Sequence, residues 1–207
     1  MDFNINPAPS EMEKRDEVLA KAYTNLIYFG RAFLPNDFLK KSESAPFHYE
    51  MGKKMIDATP GARICNIIPR GHGKSVVAKA AIIHKLCFAA DDQQHFIAWV
   101  SEEQSQAIDH LKYIRSHFEN NKMIRYYFGN MDGGSVGKRW TEKDLVTPKG
   151  DRVISKGTSQ RLRGRAEVDV RYTGIVLDDF ESELNTKTPE SRADINKWIV
   201  STVYPSL

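Results

Sequence analysis

The chain has 207 residues, 41% of them hydrophobic and 10% aromatic, enough to bury one substantial core with a small appendage. With 30 basic residues against 27 acidic, the net charge is +3, which excludes a uniformly polybasic nucleic-acid binder and leaves DNA contact to local patches. No apolar run nears the roughly 20 residues of a membrane-spanning helix, and Met1–Ser10 lacks a signal-peptide pattern, so a soluble intracellular protein is expected.

Met1–Ser10 reads as a loose arm. Val18, Leu19, Ala22, Tyr23, Leu26, Ile27 and Phe29 recur at helical spacing and predict one amphipathic helix over Glu11–Phe33, with Ser10 and Glu13 as a capping box and Pro35 beyond its end. A helix over Pro46–Ala58 and a turn at Thr59-Pro60-Gly61 follow. Arg63–Ile68 is short, apolar and β-branched, and predicts a buried strand with Cys65 inside it. The loop Pro69–Ser75 leads into an alanine-rich helix, Val76–Ala89, which holds Cys87 as a second buried thiol.

Gln94–Val100 predicts another buried strand, and Ser101 opens a helix to about Glu119. Gly129–Gly137 carries four glycines and reads as a loop. Asp144–Thr147 and Arg152–Ser155 flank Pro148-Lys149-Gly150-Asp151 as a β-hairpin. Thr173–Leu177 predicts a strand ending in Asp178-Asp179, and Pro189–Val203 a last helix. Alternating strands and helices imply an α/β fold with a mostly parallel sheet covered on both faces. The division expected is an arm and helix over 1–45 and one domain over 46–207.

Binding a triphosphate needs converging backbone N–H groups, a lysine for the β- and γ-phosphate charge and a hydroxyl for Mg²⁺. Gly73, Lys74 and Ser75 supply these where a strand is expected to turn into a helix, and Arg70, Gly71 and His72 extend the loop. The usual G-x-x-x-x-G-K-[ST] pattern lacks its first glycine, which falls on Ile68. Nucleotide hydrolysis also needs a carboxylate for Mg²⁺ and another to orient water. Asp178 suits the metal role. The water-orienting role falls to Asp179 or Glu181, with a slight preference for Glu181.

Between Lys138 and Arg171 there are ten basic residues and five acidic, whereas Asp178–Asp194 has six acids and two bases, a segregation that favours separate polyanion and nucleotide-metal surfaces. Within the basic run, Gln160-Arg161-Leu162-Arg163-Gly164-Arg165 is an arginine cluster. Its arginines fit a finger on a neighbouring subunit's nucleotide, a contact to DNA phosphates, or a solvated loop.

Three segments in order, Pro69–Ser75, Ser101–Ala107, and Leu162-Arg163-Gly164 ahead of Ile175–Glu181, resemble the large terminase subunit of tailed bacteriophages, the ATP-driven motor that packages DNA into proheads. The resemblance spans about Phe47–Glu181. It implies a RecA-like ATPase domain with Lys74 and Ser75 on the phosphates and Mg²⁺, Asp178 on the metal, Arg163 as the trans-acting finger, and Phe47-His48 near the adenine. It also implies ATP and Mg²⁺ as ligands, and double-stranded DNA, a portal protein and a small terminase subunit as partners. A homo-oligomeric ring working in the infected host's cytoplasm, transiently at the prohead portal, completes that picture. Asp179 stands where the family more often has glutamate, and the family's C-terminal nuclease domain is not among these residues, so no nuclease activity is expected of them. Two rivals stay open: a helicase or translocase with the same core, and a nucleic-acid-binding module with a vestigial phosphate loop.

Overall fold

The computed structural model describes residues 9–38, 43–158, 160–162, 171–182 and 185–207, with backbone alone for 9–13. In chain order its elements are α1 (Pro9–Thr24), α2 (Leu26–Phe33), α3 (Pro35–Phe38), α4 (Pro46–Ile56), α5 (Lys74–Cys87), β1 (Phe96–Ser101), α6 (Gln104–Asn120), α7 (Lys122–Phe128), β2 (Asp144–Val146), β3 (Arg152–Gly157), β4 (Gly174–Leu177) and α8 (Pro189–Trp198). They fall into two compact units, residues 1–88 with 122–129, and residues 89–121 with 130–207.

The first unit is helical. The single helix expected over Glu11–Phe33 is two helices, because Asn25 leaves the helical region (φ −138°, ψ 102°) and its side chain accepts the Tyr28 N–H at 3.0 Å. An asparagine oxygen satisfies an otherwise orphaned first-turn donor, so the chain gains a cap where it gives up one helical residue. Asn25→Ala is expected to lower stability by about 1 kcal/mol, read by chemical denaturation. Leu26, Ile27, Phe29 and Phe33 line the buried face of α2 and pack among α1, α4 and α5. Phe128 of α7, a helix the sequence did not announce, meets Phe33 and Phe88 edge-on at 5.2 and 5.0 Å. Buried beside them, His84 donates from Nε2 toward the carbonyls of Ala22 and Tyr23, at 3.1 Å each. Burial pushes its imidazole below the ordinary value, outweighing those two bonds, and keeps it neutral.

The second unit is α/β, a four-stranded open sheet in the order β2-β3-β1-β4, flanked by helices. β1 pairs in parallel with β3 on one side and β4 on the other, and β2 runs antiparallel to β3, forming the expected hairpin. All six residues of β1 are buried, as a run apolar on both faces requires. Phe96, Ala98 and Val100 join Ile154, Leu162, Tyr172 and Val203 in one core, with Trp198 and Leu207 packed against it. Trp99, on the opposite pleat face, stacks against α6 through His110. The helix expected to run to Val203 keeps α geometry only to Trp198, and continues as a π-helical turn over Ile199–Val203.

The hairpin is tied by ions. Asp144 accepts from Arg152 Nε and Nη2 at 2.8 Å each and from Arg139 Nη1 at 2.8 Å, while the Arg152 guanidinium lies 4.8 Å from the Phe96 ring centroid. Lys149 pairs with Asp91 at 2.9 Å. With Arg171, which donates to the Leu207 carbonyl at 3.1 Å, at least four of the ten basic residues that suggested a polyanion surface are engaged within this unit. Among the described residues no helix is long and apolar enough to cross a membrane.

Candidate functional site

The glycine loop lies in the helical unit. Gly71 (φ 79°) and Gly73 (φ 74°) both adopt left-handed backbone, which costs an L residue about 1–2 kcal/mol and glycine nothing comparable. The second of these turns starts α5 at Lys74, and Gly73 as N-cap brings no side chain to the first-turn N–H groups. A 14-residue helix thus opens with its donors and the positive end of its dipole uncovered. Lys74 Nζ donates to the Ile68 carbonyl at 2.6 Å, and an ammonium has two further hydrogens to give. Ser75 is half-buried on the first turn; Arg70 and His72 are exposed.

His48 joins the loop from α4. The Ala45 N–H donates to its Nδ1 at 3.0 Å, which makes Nε2 the protonated nitrogen, and Nε2–H donates to the His72 carbonyl at 2.9 Å. His72 in turn donates from Nδ1 to the Arg70 carbonyl at 2.9 Å. These bonds occupy the carbonyls of Arg70 and His72 in the loop. A cavity of about 190 Å³ adjoins the loop, lined by His48, Gly71, His72, Gly73, Val76 and Phe38 among others. Phe47 lies against His48, their ring centroids 4.0 Å apart.

The segment ahead of the loop departs from expectation. Arg63–Ile68 forms no strand, Ile67 is 93% exposed, and Cys65 is exposed where burial was expected; Cys87 is buried as anticipated. A β-branched apolar run fits a pleated surface, but the strand exists only where another backbone pairs with it. Here none of the named strands does.

The acidic strand end lies in the sheet unit. The Asp178 N–H donates to the Val100 carbonyl at 3.0 Å, so its backbone continues the β4 pairing one residue past the strand. Its side chain is 13% exposed, and Oδ2 is buried without a hydrogen-bond partner. Asp179 is exposed with φ 47°, the one described non-glycine residue with positive φ, and its carbonyl accepts the Glu102 N–H at 3.0 Å. Aspartate tolerates this region better than most residues, and such backbone concentrates at functional positions. Glu181 is exposed two residues on.

Arg163 lies outside the described residues, as do Gly164 and Arg165; Arg161 is exposed and Leu162 buried. Among the described residues no group of three or more His, Cys, Asp or Glu side chains is arranged to hold a metal ion. Two participants escaped the sequence reading: the Ile68 carbonyl under Lys74, a backbone atom with no sequence signature, and His110, which lies 3.6 Å from Asp178 and has no motif spacing to mark it. Compared with models of known protein families and with curated proteins, the chain matches none.

Proposed function

We propose that this chain is the ATP-hydrolysing region of a DNA-packaging motor of the large terminase subunit type, with a RecA-like arrangement. The observation that carries the reading is the loop: two left-handed glycines deliver Lys74 and Ser75 onto the uncapped start of α5. In this reading the first-turn N–H groups receive phosphate oxygens, and Lys74 keeps one N–H on Ile68 while directing others to the β- and γ-phosphates. His48 and Phe47 border the base.

Mg²⁺ is typically held by one or two carboxylates, with phosphate and water oxygens supplying the rest, and the mostly buried carboxylate of Asp178 at the end of β4 suits that pattern. Within the sheet unit, Asp178 is the residue that would hold it. When bound, the ion neutralises charge on the β- and γ-oxygens. Glu181 or Asp179 orients the attacking water by accepting its hydrogen bond, and Arg163 serves a neighbouring subunit's nucleotide. Double-stranded DNA, the portal and a small terminase subunit are the partners, in the host cytoplasm.

The test is binding of ATP with Mg²⁺ to the whole chain. Saturation at 100 times the dissociation constant is expected to stabilise it by about 2.7 kcal/mol, seen as a raised thermal midpoint. Phosphate release follows when DNA and oligomeric assembly are supplied. No shift with ATP at millimolar concentration overturns the reading, and binding without hydrolysis in the assembled, DNA-loaded state favours a vestigial loop.

A further inference from the structure

One side chain outside this set faces the carboxylate assigned to Mg²⁺. His110 of α6 has Nε2 3.6 Å from Asp178 Oδ2, within ion-pair reach and longer than a hydrogen bond. The two side chains are only 23% and 13% exposed. The His110 ring lies flat on the fully buried Trp99 indole, centroids 4.4 Å apart and planes 27° from parallel. Trp99 is itself registered beside Val176 of β4, two residues before Asp178. The imidazole and the carboxylate are therefore carried by neighbouring strands of one sheet and the helix packed on it, a rigid mounting for both.

Asp178 Oδ2 is buried with no hydrogen-bond partner, an expensive state for a carboxylate oxygen unless a donor meets it. Hydrogen bonds of catalytic groups are often long before the ligand arrives and tighten with it. Carboxylates that ligate ions are in turn hydrogen-bonded by a surrounding layer of side chains.

We propose that His110 is a positioning residue: its Nε2–H takes one oxygen of Asp178 and so aims the other at the Mg²⁺ ion or a water bound to it. This rests on the reading of Asp178 given above. A role in packing alone would need only the ring against Trp99, which separates the two explanations. His110→Phe keeps the stacked ring and removes the donor; His110→Gln keeps a donor; His110→Ala keeps neither.

The experiment titrates Mn²⁺, in place of Mg²⁺, into the whole chain with ATP and follows bound ion by electron paramagnetic resonance, with each variant's thermal midpoint measured alongside. His110→Phe and His110→Ala are expected to raise the half-saturating Mn²⁺ by about tenfold or more, the usual range for losing such a partner. His110→Gln is expected to stay near wild type, as is the thermal midpoint of His110→Phe. Unchanged Mn²⁺ affinity in His110→Phe overturns the proposal; if that variant does not fold, His110→Gln binding as poorly as His110→Ala overturns it instead. Asp178→Asn sets the reference. If wild type binds no Mn²⁺ with ATP, or if Asp178→Asn binds as wild type does, the Mg²⁺ role of Asp178 falls and this proposal with it. A loss in Asp178→Asn with none in His110→Phe removes the positioning role alone.

Discussion

If the chain hydrolyses ATP as proposed, Lys74→Ala is expected to lower turnover by the assembled, Mg²⁺-supplied chain by at least about a hundredfold, the scale on which losing one preorganised charge-stabilising donor is felt. The expectation follows from where the ammonium sits. It follows the left-handed Gly73 directly, at the start of a long helix, and among the described residues its side chain bonds only to the carbonyl that precedes the loop. Removing a half-exposed side chain with that single bond costs about 1 kcal/mol of stability, so circular dichroism and thermal melting stay close to wild type while phosphate release collapses. Lys74→Arg is no rescue, because a planar fork cannot occupy the compact position of an ammonium. Unchanged hydrolysis in Lys74→Ala removes the loop from the chemistry altogether.

Asp144→Ala unties the hairpin and costs about 2–3 kcal/mol, lowering the thermal midpoint by roughly 5–10 °C. The side chains of Asp144 and Arg152 are 15% and 22% exposed, so the guanidinium left behind is mostly shielded from water and has lost a bidentate partner. Burial alone would raise the Asp144 carboxyl; the bonds from Arg152 and then Arg139 outweigh it and hold the carboxyl below its ordinary value of 3.8. A depressed carboxyl stabilises the fold above its unfolded value and loses that contribution as pH falls through the folded one. The gap between wild type and Asp144→Ala, measured by urea unfolding, is therefore full at neutral pH and shrinks below about pH 4. A gap that does not narrow in acid shows that the carboxylate charge is not what holds the hairpin.

The sequence made the sheet unit legible because its strands carry their own evidence. Phe96–Ser101 is apolar on both faces, as a central parallel strand must be, and Pro148–Asp151 marks the hairpin turn. The helical unit was harder. Apolar spacing runs unbroken from Val18 to Phe29, so periodicity alone joined α1 to α2; Asn25, a good cap residue inside that pattern, was the signal that separates them. α7 has seven residues, too few to show a period. Arg63–Ile68 was misread because composition records what a strand can be made of, while pairing depends on a backbone elsewhere. Lys74 and Ser75 stand out by the spacing of the glycine loop, and Asp178 by its place at the end of an apolar strand. His110 was invisible, since a histidine inside a helix gains meaning only from what the fold sets opposite it.

The layout of the sheet also sets the order in which it can be made. β1 bonds to strands that follow it by tens of residues, and the face bearing Phe96, Ala98 and Val100 is covered by Val203, with Trp198 and Leu207 against it. A ribosome adding about 5–20 residues each second delivers Val203 only roughly 5–20 seconds after β1 emerges, so that face waits that long for its full cover. Such long-range closure is slow and leaves apolar surface open to aggregation until the cover is in place, a cost of setting the central strand so far ahead of what packs on it.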